Sequence, residues 1–265
     1  MMVRILTSLY MLPFLYIIHL GGIPMYIASF FLMMQGLKEY REAMTNKIKV
    51  VDKKVLDSIV VLLFIANIFS SRVGLKSYGL FFVYLVLVFL IDILTSIKAR
   101  VALKKRLGFW LGVFYILIGF ETIVWIRNVM PNGEWFTWLI FVITIVSDSM
   151  AYFTGKLFGS HKLIPSVSPN KTIEGSLGAI FFTIIACLLY GFFLDMQIPH
   201  LIVIGLFGSI FSQCGDLIAS KVKRYAEIKD FSNFIPQHGG VLDRLDSALL
   251  VSQFIFVVMM LLLIF

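Results

Sequence analysis

The chain has 265 residues, 60% of them hydrophobic and 14% charged, with a mean hydropathy of +0.95 and a formal net charge of +8. Soluble domains run nearer to half apolar and a quarter charged, so a water-soluble globular domain is excluded and length no longer counts domains. The composition specifies an all-α, polytopic integral membrane bundle, one membrane domain over 1–265 with scaffold helices in 1–135 and motif-bearing helices in 136–265.

Apolar runs near the ~20 residues that cross a bilayer predict about nine transmembrane helices, at 5–20, 22–37, 56–70, 77–97, 108–126, 135–157, 175–194, 199–220 and 241–265. The first two form a tight pair around Gly21-Gly22. Arg4 makes a weak basic start and no small-x-small site follows, so the N-terminus is read as a span and not as a cleavable signal. Cys187 and Cys214 both fall inside predicted spans, which argues against a structural disulfide.

The positive charge follows topology. With the N-terminus in the cytoplasm, all but Arg72, Lys76 and Arg127 of the 23 Lys and Arg residues fall on one side, in Arg4 and segments 38–56, 98–107, 156–174 and 220–244. The positive-inside rule then orients a multi-pass protein of the cell (plasma or inner) membrane with its N-terminus in and its C-terminus out. Trp110, Trp125, Trp135 and Trp138 fall near span ends, as interfacial residues do. The basic surplus serves topology and contact with anionic membrane lipid, and no nucleic acid is expected.

Up to about residue 135 the spans carry few ionisable groups. The run 98–106 reads as a cytosolic loop touching headgroups, and Asp92 and Glu121 as bundle-facing structural carboxylates. No internal or inverted repeat is visible, which counts against a secondary transporter. Beyond residue 135 polar residues form stripes. In the sixth span Thr144, Asp148, Tyr152 and Lys156 recur every four residues and share one helical face. In the eighth, Ser209, Ser212, Gln213, Asp216, Ser220 and Lys223 do the same. Such stripes can be inter-helix glue, but an intramembrane carboxylate marks a functional site by default.

Two constellations carry chemistry. Asp243 and Asp246 are three residues apart at the start of the ninth span, and Asp216 lies one hairpin earlier. Carboxylates meeting from two helices suit a hard divalent cation, and magnesium uses one or two of them and leaves the rest to water and phosphate. Structural salt bridges to Lys223, Arg224 or Arg244 are the alternative. The cations Lys221, Lys223, Arg224, Lys229 and Arg244, with His238, outnumber the local acids, as a polyphosphate site requires. The second constellation is the loop 166–176, in which Ser168-Pro169-Asn170-Lys171-Thr172 precedes the seventh helix and could present amides, a charge and a hydroxyl to an anion. A plain helix-entry turn is the other reading. His238-Gly239-Gly240 offers backbone that can approach a phosphate closely. His161 and His200 read as ordinary loop or interface residues and His19 as a bundle residue.

The run 220–246 resembles the signature of phosphatidate cytidylyltransferases (CDP-diacylglycerol synthases), with Ser220, Lys223-Arg224, Lys229-Asp230, Pro236, His238-Gly239-Gly240, Asp243-Arg244 and Asp246 at that family's spacings. Ser147-Asp148, Ala151-Tyr152-Phe153, Phe158-Gly159, Ser168-Pro169-Asn170-Lys171-Thr172, Glu174-Gly175 and Gly215-Asp216-Leu217 resemble its upstream motif, so that the likeness covers roughly 145–250. Many relatives carry an acid before the signature serine, where this chain has Ala219.

The resemblance implies a membrane nucleotidyltransferase that converts CTP and phosphatidate to CDP-diacylglycerol and diphosphate, and it implies a homodimer. On that basis Asp216 and Asp243 are expected to bind Mg2+, with Asp246 completing or orienting the site. A second cation, for which a monovalent ion is one option, fits the same scheme, since in-line displacement often uses two. Lys223, Arg224, Lys229 and Arg244 would hold the triphosphate and the lipid phosphate. Lys171, with Ser168, Asn170 and Thr172, would line the nucleotide entrance, and Asp148 would face the same cavity. Ser220, Glu174, Gly239 and Gly240 would contribute to substrate binding, with His238 donating to a phosphate. Two rivals stay open: a cytidylyltransferase for an ether-linked or polyprenyl lipid phosphate, and an ion-coupled transporter of an anionic solute.

Overall fold

A computed structural model describes residues 11–48, 50–73, 77–98, 102–193, 196–234 and 239–264. Nine α-helices occur among them: α1 Met11–Leu20, α2 Gly22–Thr45, α3 Lys53–Val73, α4 Ser77–Lys98, α5 Leu103–Val129, α6 Gly133–Phe158, α7 Ile173–Tyr190, α8 Ile198–Ala226 and α9 Leu242–Ile264. Between α6 and α7 lies one antiparallel hairpin, β1 Lys162–Ile164 and β2 Ser168–Thr172. The expected loop at 166–176 is therefore partly strand.

Six of these helices contain stretches long and apolar enough to cross a membrane: Gly79–Ile97, Leu103–Val129, Gly133–Phe158, Ile173–Phe193, Ile198–Ala226 and Leu242–Leu262. The fold is thus all-α in the manner of a multi-pass membrane protein. Helix α2 is not in this group, because Gln35, Lys38, Glu39, Arg41 and Glu42 crowd its second half. The α1–α2 turn forms where expected, and both of its glycines have left-handed φ, 61° at Gly21 and 56° at Gly22, which side-chain-bearing residues rarely adopt.

The chain divides into two compact units, Met1–Leu117 with Asp230–Leu242, and Ile118–Lys229 with Asp243–Phe265. In the first, α1 packs on α2, α2 on α3 and α3 on α4. Within this unit Asp92 on α4 accepts hydrogen bonds from Arg106 Nε (2.5 Å) and Trp110 Nε1 (2.9 Å) and pairs with Arg106 Nη2. Asp92 is thus the structural carboxylate that its place in an apolar span suggested. Trp110 is not an interfacial residue: it is 1% exposed, drawn inward by that hydrogen bond and by its contacts with Phe89 and Phe114.

In the second unit α6, α7 and α8 pack mutually, and the hairpin lies on α6 and α7. Small residues permit the close approach typical of helices in lipid. Gly155 and Gly175 meet across α6 and α7, Thr154 fills the space beside Gly178, and Gly205 on α8 lies against the Ile184 backbone. Buried hydroxyls add inter-helix hydrogen bonds, Ser147 to Ser209 (3.0 Å) and Thr122 to Ser252 (2.8 Å). Cys187 and Cys214 are both free thiols.

Candidate active site

A cavity of about 550 Å³ opens in the second unit, among the C-terminal part of α6, the hairpin, the start of α7, the middle of α8 and the start of α9. Four carboxylates line it, Asp148, Asp216, Asp243 and Asp246, together with three ammonium groups, Lys156, Lys171 and Lys223. Their positions follow from helix geometry. Asp148, Tyr152 and Lys156 come from successive turns of α6, and all three line the wall. On α8 the stripe runs from Ser209, bonded to Ser147, through Gln213 to Asp216 and Lys223. Gln213 is oriented by Ser176, whose hydroxyl donates to its amide oxygen at 2.5 Å.

Gly215 explains how the carboxylates of α8 and α9 come together. A Cβ there would collide with the backbone of Asp246 and Ser247, so a glycine lets the two helices approach closely beside Asp216. Asp216 lies near enough to both Asp148 and Asp246 for mutual charge repulsion. Two lysines offset that charge. Lys171 Nζ on β2 lies 2.5 Å from Asp216 Oδ2, and Lys223 Nζ lies 2.7 Å from Asp243 Oδ1. Ser220 donates to Asp216 Oδ1 at 3.2 Å, and Asp246 Oδ1 accepts the Ser247 amide at 2.7 Å.

The hairpin brings Lys171 to the cavity. Thr172 ends β2 and caps α7, its hydroxyl accepting the Gly175 amide at 3.1 Å. Glu174 accepts from the His161 amide (3.2 Å) and bonds His161 Nδ1 (2.7 Å), tying the start of α7 to the strand that opens the hairpin. His161 is accordingly a hairpin latch.

Of the residues expected at the site, the cavity gathers Asp148, Asn170, Lys171, Thr172, Asp216, Lys223, Asp243 and Asp246. Ser220 touches it through Asp216, whereas Glu174 is engaged with His161. Ser168, Arg224, Lys229 and Arg244 do not line it, and the last three are exposed. One residue of α-helix is a rotation of about 100°, so Arg224 leaves the face that Lys223 occupies. His238 and Pro236 lie outside the described residues. Gly239 has φ 81°, and Gly240 approaches the Glu39 carboxylate closely. The close neighbour of Gly240 is therefore the Glu39 carboxylate.

Lys156, Ser176 and Gln213 line the cavity without having been assigned to it from sequence. The four-residue spacing of Asp148, Tyr152 and Lys156 was the signal for the first, and the α8 stripe for Gln213; nothing local marks Ser176.

The donor set could hold a hard divalent cation. Among the described residues no three His, Cys, Asp or Glu side chains are arranged to hold a metal by themselves. Four carboxylates around one cavity nevertheless suit an ion that takes one or two of them and completes its shell with water and phosphate oxygens.

A family model described as the cytidylyltransferase family matches residues 2–262. The chain belongs to that family. It is 34% identical over 265 residues to a phosphatidate cytidylyltransferase of Staphylococcus haemolyticus (strain JCSC1435), a match covering 95% of this chain and 96% of that one. A protein of the same name from Staphylococcus aureus (strain COL) is 34% identical over 260 residues, with the same shares covered. One from Bacillus subtilis (strain 168) is 40% identical over 148 residues, 55% of each chain.

Proposed function

We propose that this protein is a phosphatidate cytidylyltransferase, an integral membrane nucleotidyltransferase that makes CDP-diacylglycerol and diphosphate from CTP and phosphatidate. The observation that carries the reading is the single cavity in which four carboxylates and three lysines converge, in a member of the cytidylyltransferase family. An oxygen of the lipid phosphate attacks the α-phosphorus of CTP, the bond to the bridging oxygen of the β-phosphate breaks, and diphosphate departs with the electron pair. The attacking phosphate is already an anion, so no strong general base is needed. Catalysis then rests on positioning and charge stabilisation, as in phosphoryl transfer generally.

Lys171 and Lys223 are suited to release their carboxylates and turn to the triphosphate, with Lys156 of α6 as a third cation. Asp216 and Asp243, freed of their lysines, together with Asp246, would hold Mg2+. When bound, such an ion neutralises charge on the phosphates. Asp148 helps keep the cavity polar, and Asn170 and Gln213 supply amides for orienting substrate.

The membrane setting supports a lipid substrate. Tyr152 lines the cavity and is exposed, and Phe153, Leu157 and Phe158 beside it on α6 are also exposed. An apolar surface next to a charged cavity lets acyl chains stay in the bilayer while the headgroup enters. Lys156, Lys171 and Lys223, which line the cavity, belong to segments that the Lys and Arg asymmetry assigns to the cytosol, where CTP is found. We accordingly place the N-terminus and the site at the cytoplasmic face, within nine spans, and extend the family's homodimer to this chain.

The test is incubation of purified, detergent-solubilised protein with labelled CTP and a panel of diacyl, ether-linked and polyprenyl phosphates, with divalent cation or excess chelator. We expect label in a CDP-lipid with the diacyl phosphate, dependent on the cation. A CDP-lipid formed only with another lipid phosphate would change the substrate, and solute flux in liposomes without nucleotide turnover would overturn the class.

A further inference from the structure

Glu39 is fully buried on α2, at 0% exposure. An ionised carboxylate in an apolar interior is costly unless it is densely hydrogen-bonded, and this one is. Oε1 accepts from Ser232 Oγ (2.7 Å), the Val241 amide (3.0 Å) and Gln35 Nε2 (2.9 Å), while Oε2 accepts the Leu242 amide (3.0 Å). Val241 and Leu242 open α9, whose first amides have no partner within the helix. Glu39 thus caps α9 from two hundred residues away in sequence, with charge-assisted bonds and a favourable dipole alignment.

The chain before α9 is shaped to admit it. A Cβ on Gly240 would overlap all three atoms of the Glu39 carboxylate, and Gly239 takes φ 81° to bring the amides into place. Asp243 follows Leu242 directly and Asp246 comes one turn later. The direction in which both carboxylates leave α9 is therefore set by where its first turn begins and how that turn is rotated.

We propose that Glu39 is a positioning residue for nucleotidyl transfer, holding the first turn of α9 so that Asp243 and Asp246 face the cavity. This rests on the function proposed above. The charge is essential to the role, since a neutral amide at the same place would turn an N–H donor toward a backbone donor. A small displacement of reacting groups is enough to slow catalysis by up to about a hundredfold.

The test compares Glu39→Gln, Glu39→Asp and Gly240→Ala with the unaltered protein, by turnover per folded molecule and by hydrogen exchange of the Val241 and Leu242 amides. Gly240→Ala displaces the carboxylate without removing it and serves if Glu39→Gln does not fold. The proposal expects faster exchange at both amides and kcat lowered on the order of tenfold or more, with a smaller change in KM for CTP. It expects Glu39→Asp to recover part of the loss. Wild-type kcat per folded molecule together with unchanged exchange in the folded variants would overturn it, as would lower melting temperature with kcat intact. Absence of CDP-lipid synthesis by the unaltered protein would refute the proposed function instead, and exchange alone would then decide whether Glu39 anchors α9.

Discussion

Asp92–Arg106 and Asp243–Lys223 are both ion pairs on the long apolar helices, and their surroundings differ. Asp92 and Arg106 are closed in, with exposures of 12% and 7% for the two side chains, and the Trp110 indole takes a further lone pair of the carboxylate. Asp243 and Lys223 are comparably closed in, at 4% and 14%, yet both line a cavity with three more carboxylates and two more lysines. The first pair lines no such cavity, and the Arg106 Nε and Nη2 groups are both spent on Asp92. The second borders space that a polyanion can enter, so each partner has an alternative. An intramembrane charge pair therefore signals a reactive site by what it faces, not by how deeply it is buried.

That contrast can be broken by mutation. Asp92→Asn leaves the Arg106 guanidinium buried without its counter-charge, and loss of one member of a buried pair costs about 3–5 kcal/mol. We expect a large fall in melting temperature with turnover per folded molecule retained; a stable but inactive variant would move Asp92 into the site. A smaller effect sharpens the boundary at the hairpin. Thr172 lines the cavity but uses its hydroxyl to cap α7, so Thr172→Ala should lower stability by about 1 kcal/mol and Thr172→Ser should restore most of it. Raised KM for CTP with unchanged melting would show instead that the hydroxyl serves the substrate.

The helical framework was legible because apolar runs and helix periodicity are local signals. The ends of α6 and α8, for example, follow the predicted spans 135–157 and 199–220, with α8 continuing to Ala226 through Lys223 and Arg224, cations that suit a helix C-terminus. The carboxylates and Lys171 were legible because they lie on stripes or within the family motif. What the sequence hid is what packing decides. Lys223 and Arg224 are neighbours in sequence but part company on the helix. The hairpin was missed because a three-residue strand beside Pro169 carries no alternating pattern. Glu39 was invisible for a deeper reason, since Ser232, Val241 and Leu242 give it meaning only after the fold brings them together. The reason for Gly240 was hidden with it.

The most direct test of the central claim is Asp243→Asn, alone and combined with Lys223→Met, followed by melting temperature and turnover per folded molecule. If Asp243 serves the chemistry, the single variant stays folded and loses activity on the order of a hundredfold to a thousandfold, the typical cost of removing one charge or donor that stabilises a transition state, and the double variant stays inactive. If Asp243 only neutralises Lys223, the single variant melts early while its folded fraction turns over normally, and the double variant regains stability. The second result would contradict the account.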